Sequence, residues 1–226
     1  MICSIVGLVY PEFPFLIRVL LTFKVVAMYY LKVPTIRGKP PCSRAYHTAT
    51  PVSYSGGNML VIFGGNNDLT SINSVHVLDT TNTDGKGWSW SEKKIAGTPP
   101  SPRTGHSATL LEDGKTILVY GGWDPCEDDE QHGADDTDMI YGDSFLLDTE
   151  AWSWSTGSIS QAGAGPKGQK SYGKQRVGHS AVLAPAQDWF QVLAFGGRLP
   201  GDLFANDFQS LSVPRKLVNL RNSTDK

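Results

Sequence analysis

Cysteine is scarce in this chain of 226 residues, which contains only Cys3, Cys42 and Cys126 and no Cys-x-x-Cys pair. An odd number of unclustered cysteines argues against both a disulfide framework and a structural zinc site. The same pattern is typical of proteins that work in a reducing compartment. We therefore expect a cytoplasmic location.

A surplus of basic charge is also missing. The chain has 20 Lys and Arg against 22 Asp and Glu, which gives a formal net charge of −2. Dedicated nucleic-acid-binding proteins usually carry a basic surplus, so we expect no nucleic-acid partner. Hydrophobic residues make up 40% of the chain and charged residues 19%, a balance that favours a folded domain with a sizeable core over disorder.

Basic residues are absent from one long internal stretch. Between Lys115 and Lys167 there is no Lys or Arg, and eleven of the 22 acidic residues lie there. The densest part is the acidic loop, residues 123–138. Such a loop either faces solvent or a partner, or holds a hard cation between its carboxylates.

An uninterrupted apolar run long enough for a membrane span is missing as well. Residues 13–33 are the most apolar stretch, but three basic residues interrupt them, whereas a spanning helix needs about 20 largely uncharged residues. A signal peptide requires a basic residue before its apolar part, and this stretch has none there. The alternation at residues 21–25 favours a strand. We assign residues 1–37 to a poorly matched N-terminal segment: the remnant of an upstream repeat, an apolar leader or membrane anchor, or an artefact of the gene model.

The rest of the chain contains three repeats of one pattern, an Arg-x-x-His followed by an apolar strand that ends in Gly-Gly. The repeated residues are Arg44, His47, Gly64 and Gly65; Arg103, His106, Gly121 and Gly122; and Arg176, His179, Gly196 and Gly197. The His and the first Gly are separated by 17, 15 and 17 residues (47 to 64, 106 to 121, 179 to 196). Recurrence at one point of every repeat predicts a structural role for these residues, not a catalytic or metal-binding one.

Each repeat reads as four short strands, with units at about 38–96, 97–160 and 170–215. The first two units end in a Trp-Ser-Trp strand at residues 88–90 and 152–154. Residues two apart share one face of a strand, so we expect these Trp residues to pack against a neighbouring unit. One four-stranded sheet cannot cover both of its faces, and units of this length arranged radially form a β-propeller.

The combination of Arg-x-x-His-Ser-Ala-Thr, apolar strand, Gly-Gly, Val-x-Val-Leu-Asp and Trp resembles the kelch repeat over residues 38–215. The resemblance implies an all-β fold, a kelch-type β-propeller with about three four-stranded blades within residues 38–226. The third unit departs from the pattern, with Ser212 in place of the Asp that ends the third strand and with no fourth-strand Trp. Closed propellers have four to eight blades, so we interpret the chain as a partial propeller.

The resemblance also implies a protein-interaction module or scaffold that binds a protein partner through its loops. The loops after each Gly-Gly vary while the repeat stays constant, and binding residues usually lie on such loops. The candidate contact residues are Asn66, Asn67, Trp123, Asp124 and Arg198.

Signatures of catalysis are missing, since the chain has no P-loop, nucleophile elbow or His-Glu-x-x-His. We therefore assign no catalytic residue, cofactor or metal and favour a binding protein over an enzyme. The alternative is a metal-dependent kelch enzyme or specifier-like modifier that uses the acidic loop. Asp124-x3-Asp128-x3-His132 is similar to the Glu-x3-Asp-x3-His iron motif of the plant specifier kelch proteins, with Asp124 in place of the Glu.

Overall fold

The structure is a computed structural model that describes residues 35–54, 56–82, 87–125, 140–156 and 174–215. The predictions for residues 13–33 and for most of the acidic loop lie outside these ranges. For the same reason the division into residues 1–37 and 38–226 stays a prediction. Among the described residues, no helix has the length and apolar character needed to cross a membrane.

The described residues form three main β-sheets, one for each repeat. The first sheet has the order β1-β5-β4-β3-β2 and consists of β1 (Ile36–Arg37), β2 (Thr48–Tyr54), β3 (Gly57–Phe63), β4 (Val75–Asp79) and β5 (Trp88–Glu92). The second has the order β6-β7-β8-β9 and consists of β6 (Ser107–Leu110), β7 (Thr116–Tyr120), β8 (Ser144–Asp148) and β9 (Ser153–Thr156). The third has the order β10-β11-β14 and consists of β10 (Ser180–Ala184), β11 (Trp189–Phe195) and β14 (Phe208–Pro214).

A small hairpin follows the third Gly-Gly. It pairs β12 (Arg198–Leu199) with β13 (Leu203–Phe204) around a single 3-10 turn, Pro200–Asp202. The all-β prediction is confirmed, while the third sheet shows three strands over the described residues instead of four. Successive strands within each sheet are antiparallel, and the short β1 adds a parallel pairing with β5 at the outer edge of the first sheet.

The sheets are held together by two apolar layers that share the central strand β7. All five residues of β7 are buried. Ile117 and Val119 pack on the first sheet, whereas Leu118 and Tyr120 pack on the third. Because side chains alternate between the faces of a strand, one strand can serve both layers. The second sheet is thus covered on both faces by its neighbours.

The tryptophans of the repeat differ in how deeply they are buried. Trp154 is buried between Phe63 of the first sheet and Phe145 of its own sheet, with ring centroids 5.1 and 6.4 Å away. Trp88, Trp90 and Trp152 are half-buried. Trp154 therefore joins two sheets.

The Arg of each unit anchors the Gly-Gly turn of its own sheet. The guanidinium Nη1 donates to the carbonyl oxygen of the first glycine, in the pairs Arg44–Gly64 at 3.0 Å, Arg103–Gly121 at 3.0 Å and Arg176–Gly196 at 2.8 Å. Arg103 and Arg176 are fully buried, and each also donates to a carboxylate, Asp143 or Asp207. Buried charges need such partners to offset their desolvation.

The first unit lacks this carboxylate. Ser74 stands where the other units have Asp143 and Asp207, and its hydroxyl lies 3.3 Å from both terminal nitrogens of Arg44. Arg44 is only half-buried, so its charge is less desolvated than the charges of Arg103 and Arg176.

The His of the second unit and the His of the third unit each reach across to the preceding sheet. His106 Nε2 lies 2.9 Å from Thr48 Oγ1, and His179 Nε2 lies 2.8 Å from Ser107 Oγ. Thr48 and Ser107 each directly follow the His of the preceding unit. The chain therefore forms the same imidazole–hydroxyl contact twice, once at each junction between sheets.

Each of these imidazoles also packs on the preceding Gly-Gly strand. His106 stacks edge-on with Phe63 and His179 with Tyr120, both with ring centroids 5.1 Å apart. A Cβ on Gly64 would lie 2.5 Å from His106 Cε1, closer than real Cβ atoms approach. The first glycine of the doublet is thus required by the His of the next unit.

Burial keeps both junction histidines neutral. Together with the neighbouring Arg103 and Arg176 charges, it lowers the pKa of His106 to about 3 and the pKa of His179 to about 4. A neutral imidazole can donate a hydrogen bond to a hydroxyl or accept one from it.

We expect the free energy of unfolding to fall as the pH is lowered from about 6.5 to about 4. In this window the unfolded chain binds protons at these histidines while the folded chain does not. Each histidine contributes up to about 1.4 kcal/mol per pH unit. Urea unfolding over this pH range measures the slope. It should become shallower in His179→Gln, which removes one of the two buried imidazoles; an equal slope in the variant and the unaltered chain would contradict the assignment.

We expect Asp143→Ala to lower the free energy of unfolding by about 3 kcal/mol, because it leaves the buried Arg103 charge without its carboxylate. The matched control is Ser74→Ala in the first unit. It removes a neutral partner of the half-buried Arg44 and should cost less than about 1 kcal/mol. Chemical denaturation of both variants gives the comparison. Equal losses would show that the carboxylate is not the important partner.

Candidate functional site

The site is built on the Arg-x-x-His turns, which lie side by side in the three units. The residue before each His is Tyr46, Gly105 or Gly178. The Gly105 amide donates to the Tyr46 carbonyl at 3.2 Å, and the Gly178 amide donates to the Gly105 carbonyl at 2.8 Å. These bonds align the three turns into one continuous backbone ridge.

Tyr46 occupies a position at which the other two units have glycine. Its φ is +53°, close to the +62° of Gly105 and the +69° of Gly178. A left-handed conformation costs a residue with a Cβ about 1–2 kcal/mol, and for a bulky residue it is a real outlier. The Tyr46 side chain is nevertheless 72% exposed. The strained residue therefore brings little burial to the fold.

Two of the predicted contact residues meet in front of this ridge. The Arg198 guanidinium lies 4.8 Å from the centroid of the Trp123 ring. Arg198 also donates to Asp202 Oδ1 at 2.7 Å. Backbone hydrogen bonds with Thr104, 2.9 and 3.0 Å long, hold Trp123 in place. The cation and the indole are thus held together on a fixed backbone.

The ridge and these loops enclose a groove of about 550 Å³. Tyr46, Trp123, Arg198 and Phe204 provide its large side chains, and Gly105 and Gly178 line its floor with backbone. Phe204, on the β12–β13 hairpin, is 83% exposed. The groove therefore presents three aromatic rings and one cation around a rigid backbone.

The other predicted contact residues do not line this groove. Asn66 Oδ1 accepts a hydrogen bond from Thr104 Oγ1 at 3.0 Å. Asn67 Oδ1 accepts from the backbone amides of Leu69 and Thr70, both at 2.9 Å. Asp124 is buried. In the structure, the two Asn side chains bind within the protein and fix the loop of the first unit.

A second cavity, of about 480 Å³, lies where the β2–β3 and β6–β7 hairpins meet, at the other end of the strands. It is lined by Tyr54, Lys93 and Trp152, among others, and Lys93 Nζ lies 5.4 Å from the Trp152 ring centroid. Lys115 and Glu150 form an ion pair at its edge. The predicted contact residues all lie in the loops after the Gly-Gly doublets, so none of them is at this end of the strands.

A metal site is not visible in the described part of the chain, where no three His, Cys, Asp or Glu side chains cluster as ligands. Asp128 and His132 lie outside the described residues, so the iron-type spacing of the acidic loop stays a prediction.

The sequence analysis did not identify Tyr46 and Phe204 as contact residues, although both line the groove. The signal for Tyr46 was present, because Tyr replaces Gly in one of three otherwise equivalent Arg-x-x-His turns. Phe204 lies outside the repeated pattern, and its place beside the groove depends on how the β12–β13 hairpin folds back.

Comparison with known proteins relates this chain to a protein family. The family model of the KLHDC2/KLHL20/DRC7 Kelch-repeats domain matches residues 17–173. A solved structure of YjhT is similar with a TM-score of 0.48 and 17% identity, and the match covers 76% of this chain and 44% of that one.

Two curated proteins show the range of relatives. The flagellar outer-arm dynein alpha chain of Chlamydomonas reinhardtii is 29% identical over 158 residues, which is 68% of this chain and 3% of that protein. The acyl-CoA-binding domain-containing protein 5 of Arabidopsis thaliana is 31% identical over 156 residues, which is 69% of this chain and 19% of that protein. The chain therefore spans less than a fifth of the length of either relative.

Proposed function

The chain belongs to the kelch-repeat family, and on that basis we propose that it is a protein-interaction module that binds its partner in the Tyr46–Trp123–Arg198–Phe204 groove. Kelch repeats generally serve as protein-interaction modules. The family relationship supports the class of function. The choice of the groove depends on the geometry of the side chains.

The side chains of the groove are those that dominate protein interfaces. Tyr, Trp and Arg are enriched among the residues that contribute most to binding, and Phe is enriched at interfaces generally. The Trp123 ring lies against the Arg198 guanidinium, so two of these groups are held in place before a partner arrives. Holding them in advance reduces the entropy lost on binding.

The strained, exposed Tyr46 is the observation that carries the proposal. Glycine would satisfy the backbone at this position without strain, as it does in the other two units. The tyrosine ring gains little burial in return. Backbone strain of this kind is found where a side chain is needed for binding. A tyrosine that serves a partner accounts for both features.

The partner we infer is a protein. The cytoplasmic location stays a prediction, which rests on the scarcity of cysteine. We favour no enzymatic activity, since the groove presents aromatic rings and one paired cation. In this proposal the chain acts as a scaffold, and the loops around the groove determine which partner is bound.

We expect Tyr46→Gly to weaken partner binding by about 30-fold, the effect of removing a major interface residue. The same change should leave the free energy of unfolding unchanged or raise it by up to about 1 kcal/mol, because it removes the left-handed strain. Quantitative affinity capture from a lysate of the source cells, combined with chemical denaturation, measures both effects.

The matched control is Tyr54→Ala, which removes an exposed tyrosine at the other end of the strands. It should leave the captured proteins unchanged. If Tyr46→Gly and Tyr54→Ala capture the same proteins as the unaltered chain, the groove is not the binding site. A large loss of stability in Tyr46→Gly would show instead that the tyrosine serves the fold.

A further inference from the structure

The residue before the third strand of each sheet contacts the repeat Arg of the same unit. In the second and third units this residue is an aspartate, Asp143 or Asp207, and in the first unit it is Ser74. All three directly precede the strand that pairs with the Gly-Gly strand. They therefore occupy one structural position, at which one unit has a hydroxyl in place of a carboxylate.

The contacts of this position form within one unit. Arg103 donates to the carbonyl oxygens of Ser101 and Gly121 and to the Asp143 carboxylate. Arg44 makes the same two carbonyl contacts within the first unit, where its third partner is the Ser74 hydroxyl. No neighbouring sheet supplies the carboxylate, so the difference between the units is a property of the position itself.

The Ser74 hydroxyl lies in the fork of the Arg44 guanidinium. Its Oγ is 3.3 Å from both Nη1 and Nη2 of Arg44. In the second unit, the same two nitrogens of Arg103 each bind one carboxylate oxygen of Asp143, at 2.7 and 3.2 Å. A guanidinium fork matches the oxygens of a phosphate as well as those of a carboxylate. The first unit thus holds a cation arranged for an oxyanion, opposite a hydroxyl that can be converted into one.

The position is partly open to solvent in every unit. The Asp143 side chain is 32% exposed, although the second sheet has neighbours on both faces, and the Asp207 side chain is 38% exposed. Ser74 is half-buried and follows a loop whose residues 68–70 are exposed. Local opening of a loop costs less free energy than unfolding a strand. The hydroxyl can therefore be reached, and phosphate oxygens that do not bind Arg44 have solvent to face.

We propose that Ser74 is a phosphorylation site and that its phosphate pairs with Arg44. In a protein kinase, the Ser74 Oγ attacks the γ-phosphorus of ATP, the bond to the departing ADP breaks, and the hydroxyl proton passes to the kinase. The product carries a charge of about −1.5 to −2 and three acceptor oxygens. It gives the first unit the charge pair that Asp143 and Asp207 give to the others. The pair involves only the Arg44 turn and does not require the groove to be a binding site.

The first test is whether the modification occurs. The full chain is isolated from its source cells in the presence of phosphatase inhibitors, and its peptides are analysed by mass spectrometry. We expect the mass of one added phosphate at Ser74, and we expect a phosphatase to remove it. Recovery of the peptide that contains Ser74 with no phosphate on that residue would overturn the proposal.

The second test measures what the phosphate does to the turn. The Ala45 and Asn66 amides donate to each other's carbonyl oxygens, at 2.9 and 3.0 Å, so their hydrogen exchange reports the opening of the turn. Phosphoserine introduced at position 74 during synthesis should slow this exchange about tenfold, the effect of one charge-assisted hydrogen bond. Arg44→Gln should abolish the slowing. Phosphoserine at the exposed Ser91 should leave the exchange unchanged, and circular dichroism checks that each protein is folded.

The second unit provides a matched control. There the Thr104 and Trp123 amides form the equivalent pair of hydrogen bonds, at 2.9 and 3.0 Å. Asp143→Ser reproduces the arrangement of the first unit and should speed the exchange of these two amides. Phosphoserine at position 143 should slow it again.

Three results of these exchange measurements would overturn the proposal. The first is unchanged exchange at Ala45 and Asn66 in the chain with phosphoserine at position 74. The second is slowing that persists in Arg44→Gln, which would show that the phosphate acts through another group. The third is exchange in the second unit that phosphoserine at position 143 does not slow, which would show that a phosphate does not fit beside the Arg.

Discussion

The contact between an imidazole and the hydroxyl of the preceding unit is the interaction on which the described structure depends. It requires a neutral histidine, a hydroxyl directly after the previous histidine, and a glycine that leaves space for the ring. Desolvation keeps the histidine neutral. The repeated His-Ser/Thr pair and the first glycine of each doublet are therefore parts of one junction, although they lie in different units.

The groove follows from that junction. Setting each His against the preceding sheet also brings the adjacent turns into register, so that their backbones hydrogen-bond in sequence from Tyr46 to Gly178. The residues just after each Gly-Gly are held by the same turns. A surface of loops thereby gains the rigidity of the sheets, and one tyrosine in a glycine position changes its chemistry without disturbing the ridge.

The repeat predicted much of this architecture, because its spacing reports backbone geometry directly. The Gly-Gly strands, the kelch family and the all-β propeller fold were accessible in this way and are confirmed. The direction of each side chain was harder to predict. Asn66 and Asn67 follow a Gly-Gly just as Trp123 and Arg198 do, yet the Asn side chains bind within the protein. The short Asn amides bind the backbone and side chains of neighbouring turns, whereas the longer Trp123 and Arg198 side chains extend to the groove, where they lie against each other. Phe204 could not be placed, since its position depends on a hairpin outside the repeat.

The substitution of Ser74 for a carboxylate has a mechanical consequence. Arg103 and Arg176 tie their turns to an anion, so these turns move only when a charge pair breaks, whereas the Arg44 side chain has the neutral hydroxyl of Ser74 at that position. The turn that carries Tyr46 is therefore the most compliant of the three. The Tyr46 side of the groove is thus held by weaker contacts than the Trp123 and Arg198 side, and it is the side where the position of a contact residue can adjust most when a ligand binds.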